Sequence, residues 1–74
     1  MPDDLLANAA WLGNLARSLV RDGATAEDIV QETWVAALRS APREPGRLKP
    51  WLARVLANLA HRSYRTRERR ARHE

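Results

Sequence analysis

The chain has no cysteine, and its 74 residues include only two histidines and three glycines. Without cysteine it can form neither disulfides nor thiolate metal sites, and a reducing compartment is expected. There is no glycine-rich phosphate loop. No apolar run is long enough to span a bilayer, and the N-terminal sequence MPDDLLANAAWLG carries acids where a signal peptide carries positive charge. Together these absences predict a cytoplasmic protein.

The pattern that is present is helical throughout. A chain of 74 residues allows one small domain, and apolar residues recur with the helical period while no segment alternates as a strand does. We therefore predict a compact, all-α, three-helix domain. Its helices are expected at about residues 4–20, 26–40 and 48–70, with a Pro/Gly loop at 41–47 before the last.

Local signals place the ends of these helices. Asp3 or Asp4 can cap the first helix, and Gly23 suits a left-handed stop after it. Thr25 precedes the second helix with capping-box spacing. Pro50 is expected in the first turn of the third helix, where its missing amide needs no partner.

Each predicted helix carries an apolar stripe that can build a core. The stripes are Leu5, Ala9, Leu12, Ala16 and Leu19 in the first helix; Ala26, Ile29, Val30, Thr33 and Ala37 in the second; Trp51, Leu52, Val55, Leu56 and Leu59 in the third. One tryptophan falls in each helix, and core packing is the default role for all three. Tyr64 lies beside a strip of alanines and is predicted to be a packing residue too.

The outer side of the second helix is harder to explain by solvation alone. Asp28, Gln31, Glu32 and Val35 follow one another at i, i+3, i+4 and i+7, with Leu38 at the edge of this face. An acidic face with an apolar residue at its centre is typical of a docking surface.

Charge divides the chain into two halves. Residues 1–40 hold six acids against three arginines, whereas residues 41–74 hold ten bases against three acids. Such segregation indicates two partners of opposite character, one of them a polyanion. A solvated basic tail is the simpler alternative.

The third helix carries much of this basic charge on one side. Arg54, Asn58, His61 and Arg65 lie along one edge of its apolar stripe, with Arg62 and Arg69 beside them. Arginine neutralises phosphates, and both arginine and asparagine can hydrogen-bond base edges. Trp51 lies where the apolar stripe meets this edge, so it can support an unstacked base as well as pack in the core.

Catalysis is not predicted. His73 lies in the terminal basic run, and His61 has no carboxylate at helical spacing, so neither is expected to act as a base or metal ligand. Asp28 and Glu32 form an i, i+4 carboxylate pair, but the further ligands of helix-bundle metal sites are lacking. We expect no cofactor and no bound metal.

Three segments resemble the second domain of bacterial RNA polymerase sigma factors, within the extracytoplasmic-function (ECF) group. TAEDIVQETWVAALR resembles the polymerase-binding helix of that family, and KPWLARVLANLAHRSYR resembles its promoter-melting and minus-ten recognition helix. LARSLVRD is similar to the end of the family's first helix. The resemblance covers nearly the whole chain and identifies it as a member of the sigma-70 region 2 family.

This resemblance implies partners and site residues. Asp28, Gln31 and Glu32 match positions that bind the clamp helices of the polymerase largest subunit, and helical periodicity adds Val35 to them. The following list gives the residues expected to meet the non-template strand of the minus-ten element: Arg43, Arg47, Trp51, Arg54, Asn58, His61, Arg62, Arg65 and Arg69. The loop from Ala41 to Leu48 corresponds to the family's specificity loop, which holds a base flipped from the opening duplex.

The resulting expectation is a transcription initiation factor domain at residues 1–70, followed by a frayed basic tail at 71–74, with no second, minus-thirty-five-binding domain present. It is not an enzyme. Two alternatives stay open: a generic basic nucleic-acid-binding helical module, and a sigma-like interaction domain that binds an anti-sigma factor.

Overall fold

The computed structural model describes residues 7–73 and, within that range, the side chains of all residues except Pro45, Arg72 and His73. These residues form three α-helices: α1 (Ala9–Leu19), α2 (Gly23–Ser40) and α3 (Pro45–His73). No strand occurs in this part of the chain. Each helix contacts the other two, so the predicted all-α, three-helix fold is confirmed.

The core lies where the three helices meet. Leu12 of α1 and Leu52 and Leu56 of α3 are completely buried, together with Thr33 of α2. Thr33 is tolerated there because its hydroxyl donates a hydrogen bond to the carbonyl of Ile29, at 2.7 Å, which satisfies the buried polar group. The tryptophans of all three helices are half-buried against this core, in agreement with their predicted packing role.

The predicted stripe of α2 is confirmed, but three packing predictions elsewhere are wrong. Ala9, at the start of α1, is exposed. Leu19 is 40% exposed. The helix ends after it, and Val20, which has an extended backbone conformation, is buried in its place. Tyr64 is 63% exposed. It lies to one side of the stripe formed by Leu52, Leu56 and Ala60, so it faces solvent although Arg67, further along α3, still contacts the rest of the domain. Leu5 and the predicted caps Asp3 and Asp4 lie outside the described residues.

The turn between α1 and α2 differs from the sequence prediction. Gly23 does not adopt a left-handed conformation but opens α2. The N-cap is Asp22, not Thr25: a carboxylate oxygen of Asp22 accepts hydrogen bonds from the Thr25 amide at 3.0 Å and the Thr25 hydroxyl at 2.6 Å. Asp is among the strongest capping residues. The bonds from Thr25, together with the charge of Arg67, lower the pKa of Asp22 below its ordinary value of 3.8.

The connection between α2 and α3 is shorter than predicted. The third helix begins at Pro45 instead of residue 48, and it continues to His73. Proline favours the first helical position because its φ angle is preset and an amide there needs no partner. Pro50 consequently lies inside α3 and not in its first turn. Gly46 and Arg47 therefore belong to the helix, and the irregular connection is confined to residues 41–44.

Candidate functional site

The outer face of α2 consists of Asp28, Gln31, Glu32 and Val35, and all four side chains are exposed. The opposite stripe of α2 is buried against α1 and α3, and this burial fixes the direction of the outer face. Val35 is 49% exposed and Leu38, at the edge of the face, is 64% exposed. The arrangement deduced from helical periodicity is therefore the one found in the structure.

The acids of this outer face form no ion pair among the described side chains. Neither Asp28 nor Glu32 forms an ion pair with any residue between 7 and 71 whose side chain is described. A shallow groove of about 430 Å³ runs between α1 and α2, and Asp28 and Gln31 line it. The outer face thus offers free carboxylates and exposed apolar carbon side by side.

The exposed face of α3 points away from the core. Leu52 and Leu56 bury one side of the helix, which leaves the opposite side in solvent. The exposed residues of this basic face are Arg54, Asn58, His61, Arg62, Arg65 and Arg69. The structure therefore places these six predicted residues on one continuous surface about 23 Å long, at 1.5 Å per residue.

The two remaining arginines of the predicted DNA site lie on either side of the start of α3. Arg43 is exposed in the connection. Arg47 lies in the first turn of α3, where it forms an ion pair with Glu44 at 2.9 Å; the two side chains are 75% and 70% exposed. So exposed a pair contributes little and exchanges readily for another anion.

Trp51 lies between the two faces. One groove beside it, of about 330 Å³, is lined by Pro42, Arg47, Pro50, Trp51 and Arg54. A second groove, of about 530 Å³, is lined by Glu32, Val35, Ala36, Arg39, Ser40 and Trp51. The half-buried indole is therefore a wall of both the arginine groove and the groove at the outer face of α2.

Two basic residues with contacts in the structure were not among the site residues predicted from the sequence. Lys49 holds its ammonium 4.8 Å from the ring centroid of Trp11, within the range of a cation–π contact. Arg67 bonds to the turn between α1 and α2. A signal for Arg67 exists in the sequence: it follows Leu52, Leu56 and Ala60 at helical spacing, so it continues the buried stripe of α3 with a charged residue.

Other classes of site find no support in the described part of the chain. No group of histidine and acidic residues between positions 7 and 73 could hold a metal ion. No helix of that part is long and apolar enough to cross a membrane. The candidate functional surfaces are therefore the outer face of α2 and the basic face of α3, with the grooves at Trp51 between them.

The chain matches the family model for sigma-70 region 2 over residues 5–70. It therefore belongs to the sigma-70 region 2 family, whose members are transcription initiation factors and not enzymes. The resemblance to the ECF group is confirmed by two relatives.

The first relative is the RNA polymerase sigma factor CarQ of Myxococcus xanthus, which is 49% identical over 67 residues; the match covers 85% of this chain and 38% of CarQ. The second is the ECF RNA polymerase sigma factor EcfG of Rhodopseudomonas palustris strain TIE-1, which is 41% identical over 69 residues, or 90% of this chain and 38% of EcfG. The chain thus spans 38% of the length of each relative. No solved structure matches it significantly.

Proposed function

We propose that this domain acts in transcription initiation by binding RNA polymerase through the outer face of α2 and the promoter minus-ten element through α3. The observation that carries this proposal is the presence of two exposed faces of opposite charge on one three-helix body. The names of both relatives, which are RNA polymerase sigma factors, support the same assignment. A protein with these two faces can hold a polymerase against DNA.

The polymerase-facing half is best matched by the clamp helices of the largest subunit. Asp28 and Glu32 suit a partner with basic residues, since both are exposed and neither forms an ion pair among the described side chains. Gln31 lies between them and can donate and accept hydrogen bonds. Val35 supplies an apolar contact, because it is exposed beside a groove and gains by burial only when a partner covers it.

The DNA-facing half combines residues that can bind phosphates with residues that can contact bases. The arginines of α3 can neutralise phosphates, and Asn58 among them can hydrogen-bond a base edge. Trp51 can stack on an unpaired base in the groove that also contains Arg47 and Arg54. Arg43 lies close by in the sequence and is exposed. We propose this groove as the place where a base flipped from the opening duplex is held.

Double substitution of Gln31 and Glu32 by alanine tests the polymerase assignment. We expect the variant to keep its helical circular-dichroism spectrum and to lose retention on an immobilised clamp-helix fragment. Both side chains are exposed, so the fold does not depend on them. Unchanged retention would rule out this docking face and would favour a generic nucleic-acid-binding module.

The DNA assignment is tested with a single-stranded minus-ten oligonucleotide and a scrambled oligonucleotide of the same composition. Arg54→Ala or Asn58→Ala should reduce binding to the minus-ten sequence, while the wild-type domain should bind the scrambled sequence more weakly. Equal binding of both oligonucleotides by the wild type would mean that electrostatics alone holds the strand and no base is read.

A further inference from the structure

The distal part of α3, residues 61–71, is a basic arm with little packing of its own. It contains five arginines and one glutamate. Among the described side chains of α3, Ala60 is the last buried one, and every residue of the arm is exposed except Ser63, which is half-buried. Apolar burial, which holds the first half of α3 in place, therefore contributes almost nothing here.

One arginine of the arm nevertheless contacts the body of the domain. Arg67 Nη2 lies 3.2 Å from Asp22 Oδ2 and donates a hydrogen bond to Thr25 Oγ1, also at 3.2 Å. The Thr25 hydroxyl in turn donates to Asp22. The three groups form a closed triangle between the arm and the N-terminus of α2. Leaving Asn8 aside, every other side-chain hydrogen bond or ion pair among the described residues joins positions only three or four apart in the sequence. The bonds of Arg67 therefore differ in joining distant parts of the chain.

The position of Arg67 explains this contact. Leu52, Leu56 and Ala60 form the buried stripe of α3, and Arg67 lies seven residues after Ala60, on the same side of the helix. Arg62, Arg65 and Arg69 face solvent instead and have no described hydrogen-bonding or ionic partner for their side chains. Arg67 thus serves the fold, and its neighbours are free for other contacts.

We propose that Asp22 and Arg67 form a positioning pair that holds the basic arm in line, so that Arg62, Arg65 and Arg69 present one continuous face with Arg54. The effect on DNA binding rests on the proposed function. The ordering of the arm does not depend on it. Neither Asp22 nor Arg67 touches DNA in this proposal; both act through the direction of the helix.

Simple electrostatics makes the opposite prediction for one of the two partners. Removing the carboxylate of Asp22 makes the domain more positive, which should strengthen binding to any polyanion. A positioning role for Asp22 predicts weaker binding, because an arm that samples many directions loses conformational entropy when it binds. The sign of the effect therefore separates the two explanations.

The first experiment measures amide hydrogen exchange of the free 74-residue protein. The variants are Asp22→Asn, which keeps a capping side chain but removes the charge, Arg67→Gln, and the double variant. The matched control is Arg70→Gln, which removes an exposed arginine of the arm that has no described side-chain partner. We expect exchange across residues 61–71 to rise about two- to fivefold in each single variant, the range set by an exposed ion pair.

The double variant should exchange no faster than Arg67→Gln, since one interaction is lost in both cases. Arg67→Lys should restore part of the protection, and the difference between variants should vanish in 1 M salt, where screening acts over about 3 Å. Exchange equal to wild type in Asp22→Asn and Arg67→Gln would overturn the positioning pair, whatever the domain binds.

The second experiment measures affinity for a minus-ten oligonucleotide at low salt. We expect Asp22→Asn to bind more weakly than wild type, and Arg67→Gln to bind more weakly than Arg70→Gln although both lose one charge. Tighter binding by Asp22→Asn would contradict the proposed role of the pair in DNA binding. If no variant and no wild type binds the oligonucleotide, the proposed function fails while the exchange result still stands.

Discussion

The outer face of α2 and the basic face of α3 are both exposed sides of amphipathic helices, but their chemistry differs. The α2 face places Val35 among carboxylates that have no described partner, whereas the α3 face repeats one cationic residue type along several turns. An exposed apolar residue gains free energy only from a shaped partner surface. A row of arginines needs only regularly spaced phosphates.

This difference indicates how each face recognises its partner. Binding at α2 should depend on a few side chains, as in protein interfaces where a small group of residues carries most of the energy. Binding at α3 should be spread over many residues and should weaken steadily with salt. The groove at Trp51 is the exception on the basic side, because stacking and hydrogen bonding there depend on shape.

The largest effect is expected from a substitution in the shared core, because unfolding of the domain disrupts both faces at once. Leu52 is completely buried between the helices, so Leu52→Ala should destabilise the domain by about 2–5 kcal/mol. Urea denaturation followed by circular dichroism measures this loss. The control Leu38→Ala alters an exposed leucine and should leave the midpoint almost unchanged. If Leu52→Ala were neutral, the two faces would not share this core.

A more selective change breaks the α2 face alone. Val35→Asp should weaken clamp-helix binding by about 1.5 kcal/mol or more, or at least tenfold, because it replaces apolar contact with a third carboxylate. Isothermal titration calorimetry measures the affinity. Leu19→Asp is a matched control, since Leu19 is also an exposed apolar residue but lies on α1. Equal losses in both variants would show that general charge, and not this face, governs binding.

The α3 face should respond in a graded manner. Arg54→Gln and Arg65→Gln should each reduce the slope of log affinity against log salt by about 0.7 for single-stranded DNA, since each removes one phosphate contact. Fluorescence anisotropy at several salt concentrations gives the slope. Arg21→Gln removes an exposed arginine outside this face and should leave the slope unchanged. A shared loss of slope would mean that the whole positive charge acts together.

The smallest effect concerns Asp22, which caps α2 and forms an ion pair with Arg67 of α3. Because the pKa of Asp22 is lowered in the folded state, its charged form stabilises the fold at pH values above the ordinary 3.8, and this stabilisation is lost as pH falls through the lowered pKa. Thermal melting between pH 6 and pH 2 should therefore show a smaller acid-induced decrease in Asp22→Asn than in wild type. Identical decreases would exclude a contribution from Asp22.

Helical periodicity predicted the two faces because it depends only on which residues are buried. The stripe of α2 and the exposed positions of Asp28, Glu32 and Val35 follow from a period of 3.6 residues. Helix boundaries were harder. The N-cap of α2 is Asp22 and not Thr25. The third helix begins at Pro45, earlier than the residue 48 predicted from the two prolines and the glycine of the loop. Both results depend on local geometry that several residues could satisfy.

Contacts between residues far apart in the chain could not be predicted from the sequence. The bond between Arg67 and Asp22 joins residues far apart in the chain. Helical spacing places Arg67 on the buried side of α3, but only the packing of the helices shows which group it meets. The exposure of Tyr64 has the same origin, since it depends on how closely the other helices approach that side of α3. The proposed roles of the site residues stay predictions that binding experiments must test.

The central claim is that two separate faces serve two partners. Chemical-shift mapping of the isotopically labelled 74-residue domain tests it directly, with a clamp-helix fragment and a minus-ten oligonucleotide added in separate titrations. We predict that the clamp fragment shifts amides of residues 28–38 and the oligonucleotide shifts those of residues 43–69, with the Trp51 indole responding to DNA. Perturbation of the same residues by both ligands, apart from Trp51 in the wall of both grooves, would contradict the claim.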